Sequence, residues 1–174
     1  MHAKNYRPVK GQNFTRTEFV KGFPQPKITK FTMGDVNQKF DYEGRLIALE
    51  KAQIRHNALE AARVATNRIL MEKLVTNYYL KVHPYPHTIL RENKMIFGAH
   101  ADRLQQGMRR SFGKAIGTAA RIRPQQVLIT VRVNANSVDL MKEALTRGAT
   151  KLPIPCRVII EKTAVQEPEA TPVE

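Results

Sequence analysis

The chain has 174 residues, 42% of them hydrophobic, which suits one compact domain with arms or at most two small lobes. Twenty-nine Lys and Arg against 15 Asp and Glu give a formal net charge of +14. Such a charge is self-repelling, so we expect a polyanion to neutralise it in the working state. Cys156 is the only cysteine, which excludes an intrachain disulfide and a cysteine cluster that would hold zinc.

The positive charge is concentrated in two blocks. Residues 1–30 contain seven Lys or Arg and one acidic residue, and residues 81–123 contain nine Lys or Arg and two acidic residues. The remainder of the chain is therefore almost neutral. A surface that is merely soluble interleaves the two signs, so two blocks favour a directed contact with a polyanion. Anionic membrane is the rival partner, but the blocks are rich in Pro and Gly and lack an amphipathic helical pattern. We therefore expect a nucleic-acid partner, no membrane contact and a cytoplasmic location, since the N-terminus lacks the apolar core of a signal peptide and no stretch approaches 18 apolar residues.

Residues 1–27 are predicted to form an extended basic arm, because prolines and glycines interrupt every regular pattern. Its aromatic residues are Tyr6, Phe14, Phe19 and Phe23, and its candidate RNA-binding cations are Lys4, Arg7, Lys10, Arg16, Lys21 and Lys27. Disordered segments are usually poor in aromatic residues. These rings either anchor the arm to the domain or stack on bases.

The first half of the domain combines short strands with one long helix. Strands are predicted at Lys27–Met33, with a turn at Gly34-Asp35, and at Arg45–Lys51. A helix is predicted over residues 57–73, with Asn57 as its N-cap and Glu60 in the capping-box position.

Further strands dominate the second half. They are predicted at Thr76–His83, Thr88–Asn93, Ala119–Arg123, Gln126–Val133 and Arg157–Lys162. A second helix is predicted over residues 138–147, capped by Asn136-Ser137 and stopped by Gly148. This order indicates an α+β fold, a two-layer sandwich with two main helices on one face of a mostly antiparallel sheet. Residues 28–163 would form this single domain, and residues 164–174, acidic and without a cation, a disordered tail.

The segment at residues 98–117 is rich in both glycine and positive charge. It contains Gly98, Gly107, Gly113 and Gly117, with Arg103, Arg109, Arg110 and Lys114 between them, and Arg91, Lys94, Arg121 and Arg123 adjoin it. Glycine lets a backbone approach phosphate closely, and arginine grips phosphate oxygens in bidentate fashion. We expect a Gly-rich basic loop that contacts RNA, although a mobile surface loop with solubilising charges is the alternative.

Residues that would support catalysis or metal binding do not form a recognised pattern. His83 and His87 are four residues apart, but Pro84 and Pro86 prevent a shared helix face, and no HExxH motif is present. Ser111 and Ser137 lack a GxSxG setting, Cys156 is expected to be buried, and Glu92 and Asp102 are surrounded by cations, with which salt bridges are expected. We therefore expect no catalytic residue, metal, cofactor or small-molecule substrate.

Two long segments carry a resemblance to a known family. YPHTILRENKM (85–95) and GAHADRLQQGMRRSFGKAIGTAARI (98–122) closely resemble the archaeal and eukaryotic L-ten-e family of large-subunit ribosomal proteins, the homologues of bacterial L-sixteen. The helix segment ALEAARVATNR (58–68) and the Gly22–Phe31 run also resemble that family. The resemblance covers nearly the whole chain except the acidic tail, and Asn37–Asn57 matches only loosely.

The resemblance implies a structural protein docked on large-subunit ribosomal RNA, near the aminoacyl and peptidyl tRNA sites. It also implies tRNA and neighbouring ribosomal proteins as partners, and a loop at Gly98–Phe112 that reaches toward peptidyl-site tRNA. The residues expected to face tRNA are Arg103, Gly107, Arg109, Arg110 and Lys114. A stand-alone RNA-binding module or assembly factor is the alternative function, and an RNA-processing enzyme that uses His83 or His87 is the third.

Overall fold

The strands form two antiparallel sheets in a computed structural model, which describes residues 3–9, 11–13, 15–98, 109 and 111–163. The strands are β1 (Thr32–Gly34), β2 (Tyr42–Ala48), β3 (Ala52–Arg55), β4 (Tyr79–Val82), β5 (Thr88–Glu92), β6 (Lys114–Ile122), β7 (Val127–Val133) and β8 (Cys156–Lys162). The α-helices are α1 (Ala3–Tyr6), α2 (His56–Leu74) and α3 (Val138–Ala149), and short 3-10 turns lie at Thr17–Phe19 and Ala135–Ser137. The predicted α+β class with mostly antiparallel strands is confirmed.

The larger sheet has five strands in the order β1-β4-β7-β2-β8. Side chains alternate along its central strands, so that Leu46 of β2 and Val131 of β7 are fully buried, and Gly44 lies beneath α3. Glu43 is paired in register with Arg132, and both therefore point to the opposite face of the sheet. We call the face that carries Glu43 and Arg132 the outer face of the five-stranded sheet.

The smaller sheet has three strands in the order β3-β6-β5. Ile54 and Ala120, which are in register, are buried in the same hydrophobic core as Leu46 and Val131. Gln53 and Arg121, also in register, point to the other face of this sheet. The two sheets thus share one core, whereas the sequence indicated a single sheet.

The two long helices pack against each other and against the sheets. α3 contacts β2, β7 and β8, and α2 contacts β3 and β6. Leu59 and Leu70 of α2 and Met141 and Leu145 of α3 are buried in the core. Burying a side chain of this size stabilises the fold by about 1.5–3 kcal/mol, so these four residues account for much of the attachment of the helices.

Three predictions at the ends of the helices are wrong. α2 begins at His56 after the N-cap residue Arg55, because β3 runs directly into the helix, so Asn57 lies inside it. Glu60 does not close a capping box, since its carboxylate pairs with Arg63 at 2.6 Å. Gly148 does not stop α3 but lies within it and is buried, and the helix continues to Ala149.

Three strand predictions also need correction. The strand predicted at Arg45–Lys51 is β2, which begins three residues earlier and ends at Ala48, and β3, which starts at Ala52 in the three-stranded sheet, was not predicted. The strand predicted at Lys27–Met33 is regular only from Thr32. The strand predicted at Ala119–Arg123 is β6, which begins at Lys114 and ends at Ile122. Lys114 pairs with Glu92, so the loop predicted at residues 98–117 ends before Lys114. The predicted acidic tail, residues 164–174, lies outside the described residues.

Candidate nucleic-acid interface

The arm lies on the solvent-facing side of the three-stranded sheet. The Tyr6 hydroxyl donates a hydrogen bond to the carbonyl oxygen of Arg91 at 3.0 Å. The Gln53 backbone N–H donates to the Arg7 carbonyl at 2.9 Å, and the Gln53 side-chain amide donates to the Tyr6 carbonyl at 3.2 Å. Burial, and to a lesser extent the charge of Glu92, raise the pKa of Tyr6. The first turn of the arm is therefore attached to strands β3 and β5.

Arg121 on β6 attaches a second part of the arm. Its Nη1 donates to the Asn13 side-chain oxygen at 2.8 Å, and its Nη2 donates to the Gly11 carbonyl. The Asn13 amide in turn donates to the Thr88 hydroxyl at 3.3 Å. The guanidinium of Arg121 is thus engaged by the arm.

Three cations from separate parts of the chain line one cavity of about 420 Å³ between the arm and the β5–β6 hairpin. They are Lys21 of the arm, Arg91 of β5 and Lys114 of β6, and the described lining contains no carboxylate. The Arg91 guanidinium lies 3.7 Å from the centre of the Phe112 ring, and its Nη1 donates to the Phe112 carbonyl at 3.0 Å. Arg91 therefore fixes the base of the loop as well as contributing charge.

A second cavity, of about 510 Å³, lies against Val9 and Asn13 of the arm. Lys51, Arg121 and Arg123 line it, again without a carboxylate among the described lining residues. The pairing of Ala52 with Ile122 brings Lys51 beside Arg123. Lys51 was not predicted as a site residue, because its sequence neighbours Glu50 and Gln53 give it no basic context.

The Gly-rich loop joins β5 to β6. Gly113 has a φ of +73°, and a Cβ at this position would lie 2.7 Å from the backbone carbon of Glu92. Only glycine fits this junction without displacing the neighbouring strand. Arg109 is exposed, whereas Arg103, Gly107 and Arg110, like Lys10 in the arm, lie outside the described residues.

The remaining predicted cations are exposed but do not gather at one point. Lys4, Arg7, Arg16, Lys27 and Lys94 are all exposed. Lys27 ends the arm where its backbone N–H donates to the His56 Nδ1 at 3.0 Å. Burial, with Lys27 and Arg55, lowers the pKa of His56, which favours the neutral ring that accepts this hydrogen bond.

The aromatic residues of the arm serve different purposes. Tyr6 is half-buried and anchors the arm to the domain, which is one of the two roles predicted for these rings. Phe19 is 72% exposed and Phe23 is 38% exposed, so neither anchors the arm in the way that a core residue would. Both rings remain available for stacking, and Phe14 lies outside the described residues.

The residues considered for catalysis or metal binding have ordinary structural contacts. His83 Nε2 lies 2.8 Å from the Thr130 hydroxyl oxygen, and His87 Nδ1 lies 3.1 Å from the Tyr85 carbonyl. Cys156 is half-buried, and burial raises the pKa of its thiol. Within the described ranges no three His, Cys, Asp or Glu residues lie close enough to hold a metal ion, and no helix is long and apolar enough to cross a membrane.

Comparison with known proteins gives a consistent result. The family model described as Ribosomal protein L16p/L10e matches residues 9–159. A Staphylothermus marinus protein named "Large ribosomal subunit protein uL16" is 51% identical over 160 residues, which cover 91% of this chain and 92% of that protein. A protein of the same name from Sulfolobus acidocaldarius is 52% identical, over 95% of this chain and 94% of that protein. Another, from Methanosphaerula palustris, is 46% identical, over 94% of this chain and 95% of that protein.

Proposed function

Because the chain belongs to the ribosomal protein L16p/L10e family, we propose that it is a structural constituent of the large ribosomal subunit. In this proposal it binds large-subunit ribosomal RNA and helps to position tRNA near the aminoacyl and peptidyl sites during translation. It acts through binding and has no catalytic step. The observation that carries the proposal is the match to the family over residues 9–159, which includes most of the arm and both sheets.

The arm and the β5–β6 hairpin form the proposed contact with ribosomal RNA. Lys21, Arg91 and Lys114 converge on one cavity, and Lys51, Arg121 and Arg123 on another. Cations that converge from distant parts of the chain on a rigid sheet neutralise phosphates at fixed positions, which orients the protein on the RNA. Lys4, Arg7, Lys10, Arg16, Lys27 and Lys94 extend the same basic surface in this proposal.

The Gly-rich loop is the proposed contact with tRNA. Arg103, Gly107, Arg109 and Arg110 belong to it, and Lys114 lies at its base on β6. The Arg91–Phe112 contact holds one end of the loop against the hairpin. A loop that is anchored at its base and carries several cations is suited to reach a second RNA molecule.

Binding of the full-length chain to protein-free large-subunit ribosomal RNA, measured over a range of salt concentrations, tests the proposal. The variant K21Q/K114Q/R123Q removes three exposed cations of the interface. The matched control, K73Q/K142Q/R147Q, removes three exposed cations of the helices and leaves the same net charge. We expect the interface variant to bind more weakly and its salt slope to be shallower by roughly 0.9 per lost phosphate contact.

The control variant is expected to bind nearly as the wild type does. If the two variants lose affinity equally, the contact is non-specific attraction by net charge, and the proposed interface is wrong. If the wild-type chain does not bind this RNA at physiological salt, the proposed function is wrong. A stand-alone RNA-binding module would bind the RNA but would not sediment in a one-to-one ratio with large subunits after a high-salt wash.

A further inference from the structure

The outer face of the five-stranded sheet carries charged side chains in two cross-strand rows. The pairing of the strands places Tyr79, Arg132, Glu43 and Glu161 in the first row. The second row contains Lys81, Thr130, Arg45 and Ile159. This face belongs to the sheet that does not carry the arm.

Glu43 binds the two arginines of these rows. Its Oε1 accepts from Arg45 Nε at 2.6 Å, and its Oε2 accepts from Arg132 Nε at 2.7 Å. Glu43 is only 8% exposed, although it belongs to the outer face. Burial alone would raise the pKa of Glu43, but the hydrogen bonds from both arginines outweigh that effect and hold it below its ordinary value.

Each arginine reaches Glu43 through Nε, so the contact with Glu43 does not use the two terminal nitrogens of the guanidinium. The Arg132 side chain is 46% exposed, and its terminal nitrogens have no hydrogen-bond partner among the described residues. Its guanidinium carbon lies 5.3 Å from the centre of the Tyr79 ring, which restrains the plane of the group. Arg45 Nη1 lies 3.2 Å from Glu161, a carboxylate whose side chain is 53% exposed.

The buried carboxylate of Glu43 with its two arginines differs from an ordinary surface ion pair. An exposed ion pair contributes only about 0–1 kcal/mol, whereas a carboxylate withdrawn from water has a desolvation penalty that its partners must offset. What the arrangement achieves is to hold two guanidinium groups side by side in fixed orientations. Arginine pre-ordered in this way loses little conformational entropy when it binds two oxygens of an anionic group such as a phosphate.

We propose that Arg132 and Arg45, oriented by Glu43, form a binding site for RNA phosphodiester groups on the outer face of the five-stranded sheet. This inference rests on the proposed ribosomal function and adds a second RNA contact to the one made by the arm and the hairpin. Lys81 and Arg157, both exposed on the same face, extend the positive charge on either side.

The chemistry of the face favours RNA over a protein partner. The centre of a protein interface is usually depleted of charged residues, but the centre of this face consists of Arg132, Glu43 and Arg45. Ile159 is the one aliphatic residue in the two rows, and it is half-buried. Terminal guanidinium nitrogens presented as a fork match the paired oxygens of a phosphate.

The variant Glu43→Gln separates orientation from charge, because it raises the net charge by one while it removes the carboxylate that binds both arginines. Attraction by charge alone predicts tighter binding to protein-free large-subunit ribosomal RNA. The proposed site predicts weaker binding, by about tenfold, since the glutamine amide can accept from only one arginine and the other guanidinium loses its fixed orientation. Glu72→Gln, at an exposed position of α2, is the matched control with the same change of charge, and it is expected to bind as tightly as the wild type or more tightly.

Arg132→Lys provides an independent measurement, and a melting curve of each variant checks that it is folded. Lysine keeps the charge but not the fork, so we expect a similar loss of affinity. If Glu43→Gln or Arg132→Lys binds as the wild type does, the site is wrong while the proposed function stands. Loss of binding to a protein of the large subunit, without loss of binding to RNA, would also overturn it. Failure of the wild-type chain itself to bind the RNA would instead refute the proposed function.

Discussion

Gly148 of α3 lies directly against Thr66 of α2. A Cβ at Gly148 would lie 2.3 Å from the Thr66 hydroxyl oxygen, and Thr66 is fully buried with its hydroxyl bonded to the Ala62 carbonyl at 2.9 Å. The two helices can therefore pack this closely only because one of them lacks a side chain at the crossing. Gly148 is a packing residue, although its position near the end of a helix is typical of a stop signal.

Gly148→Ala should lower the free energy of unfolding by about 1–3 kcal/mol, because the added methyl group overpacks the contact. The measurement is urea denaturation of the purified protein. In the Thr66→Ala background the same substitution should cost much less, since the clashing hydroxyl is gone. Equal effects in both backgrounds would show that the close approach is not the cause.

Arg121→Ala should release the arm from the three-stranded sheet, because it removes the hydrogen bonds to Asn13 and Gly11. We expect trypsin to cleave the arm, at Arg16 and Lys21, several-fold faster, with little change in melting temperature. Arg123→Ala is the control, since it removes the same charge from the same cavity but no side-chain hydrogen bond to the described residues of the arm. Equal cleavage rates in the two variants would contradict the role assigned to Arg121.

Gly113→Ala should be more destabilising than Gly11→Ala. Both glycines have positive φ, +73° and +59°, so an alanine has a similar backbone penalty at each position. At Gly113 the new Cβ would also lie 2.7 Å from the Glu92 backbone, whereas at Gly11 nothing lies within 4 Å. A comparison of the melting temperatures checks this, and the reverse order would contradict the described base of the loop.

His56 should make the stability of the protein depend on pH. Its pKa in the folded state lies below the ordinary value of 6.5, so the unfolded chain binds more protons between the two values. The stabilising effect is complete above pH 6.5 and is lost as the pH falls through this window. His56→Gln keeps a hydrogen-bond acceptor for Lys27 but does not titrate, so its loss of stability between pH 7.5 and 5.5 should be smaller than that of the wild type. An unchanged pH dependence would exclude His56 as a source.

Replacement of Arg109 and Arg110 by alanine should weaken tRNA accommodation more than folding. A Gly-rich loop contributes little to the core, so we expect the melting temperature of the free protein to change little. Ribosomes reconstituted with this variant should show slower tRNA accommodation than those with the wild-type chain. A fall of many degrees in melting temperature would mean that the loop assignment is wrong.

The periodic parts of the sequence predicted the fold well. α2, β5, β7 and β8 lie within one or two residues of their predicted bounds, and in α2 and β7 the hydrophobic residues recur with a clear period. The division into two sheets was not predictable in the same way, since it depends on a bend at Leu49–Lys51. That bend is fixed by contacts with distant residues, such as the hydrogen bond from the Leu49 N–H to the Pro155 carbonyl.

The candidate site was predictable in charge but not in arrangement. The two basic blocks indicated the arm and the hairpin, and the structure brings Lys21, Arg91 and Lys114 to one cavity. Local sequence did not reveal Lys51, nor that Arg121 binds the arm, because both depend on pairing across about 70 to 110 residues. The proposed site at Arg45 and Arg132 was not predicted from the sequence either. Each arginine stands alone in the sequence, and their common partner Glu43 is 89 residues from Arg132.

The pairing of β2 with β8 has a consequence for the order of events during synthesis. β2 is made early, yet one of its two neighbours, Cys156–Lys162, leaves the ribosome more than a hundred residues later. The arm is also made long before Arg121, the residue that binds it. A nascent chain emerges with its N-terminus first. The basic arm is therefore exposed for most of translation before β6, the strand whose Arg121 binds it, has been made. Newly made chains thus have an interval in which the arm is not yet attached to β6.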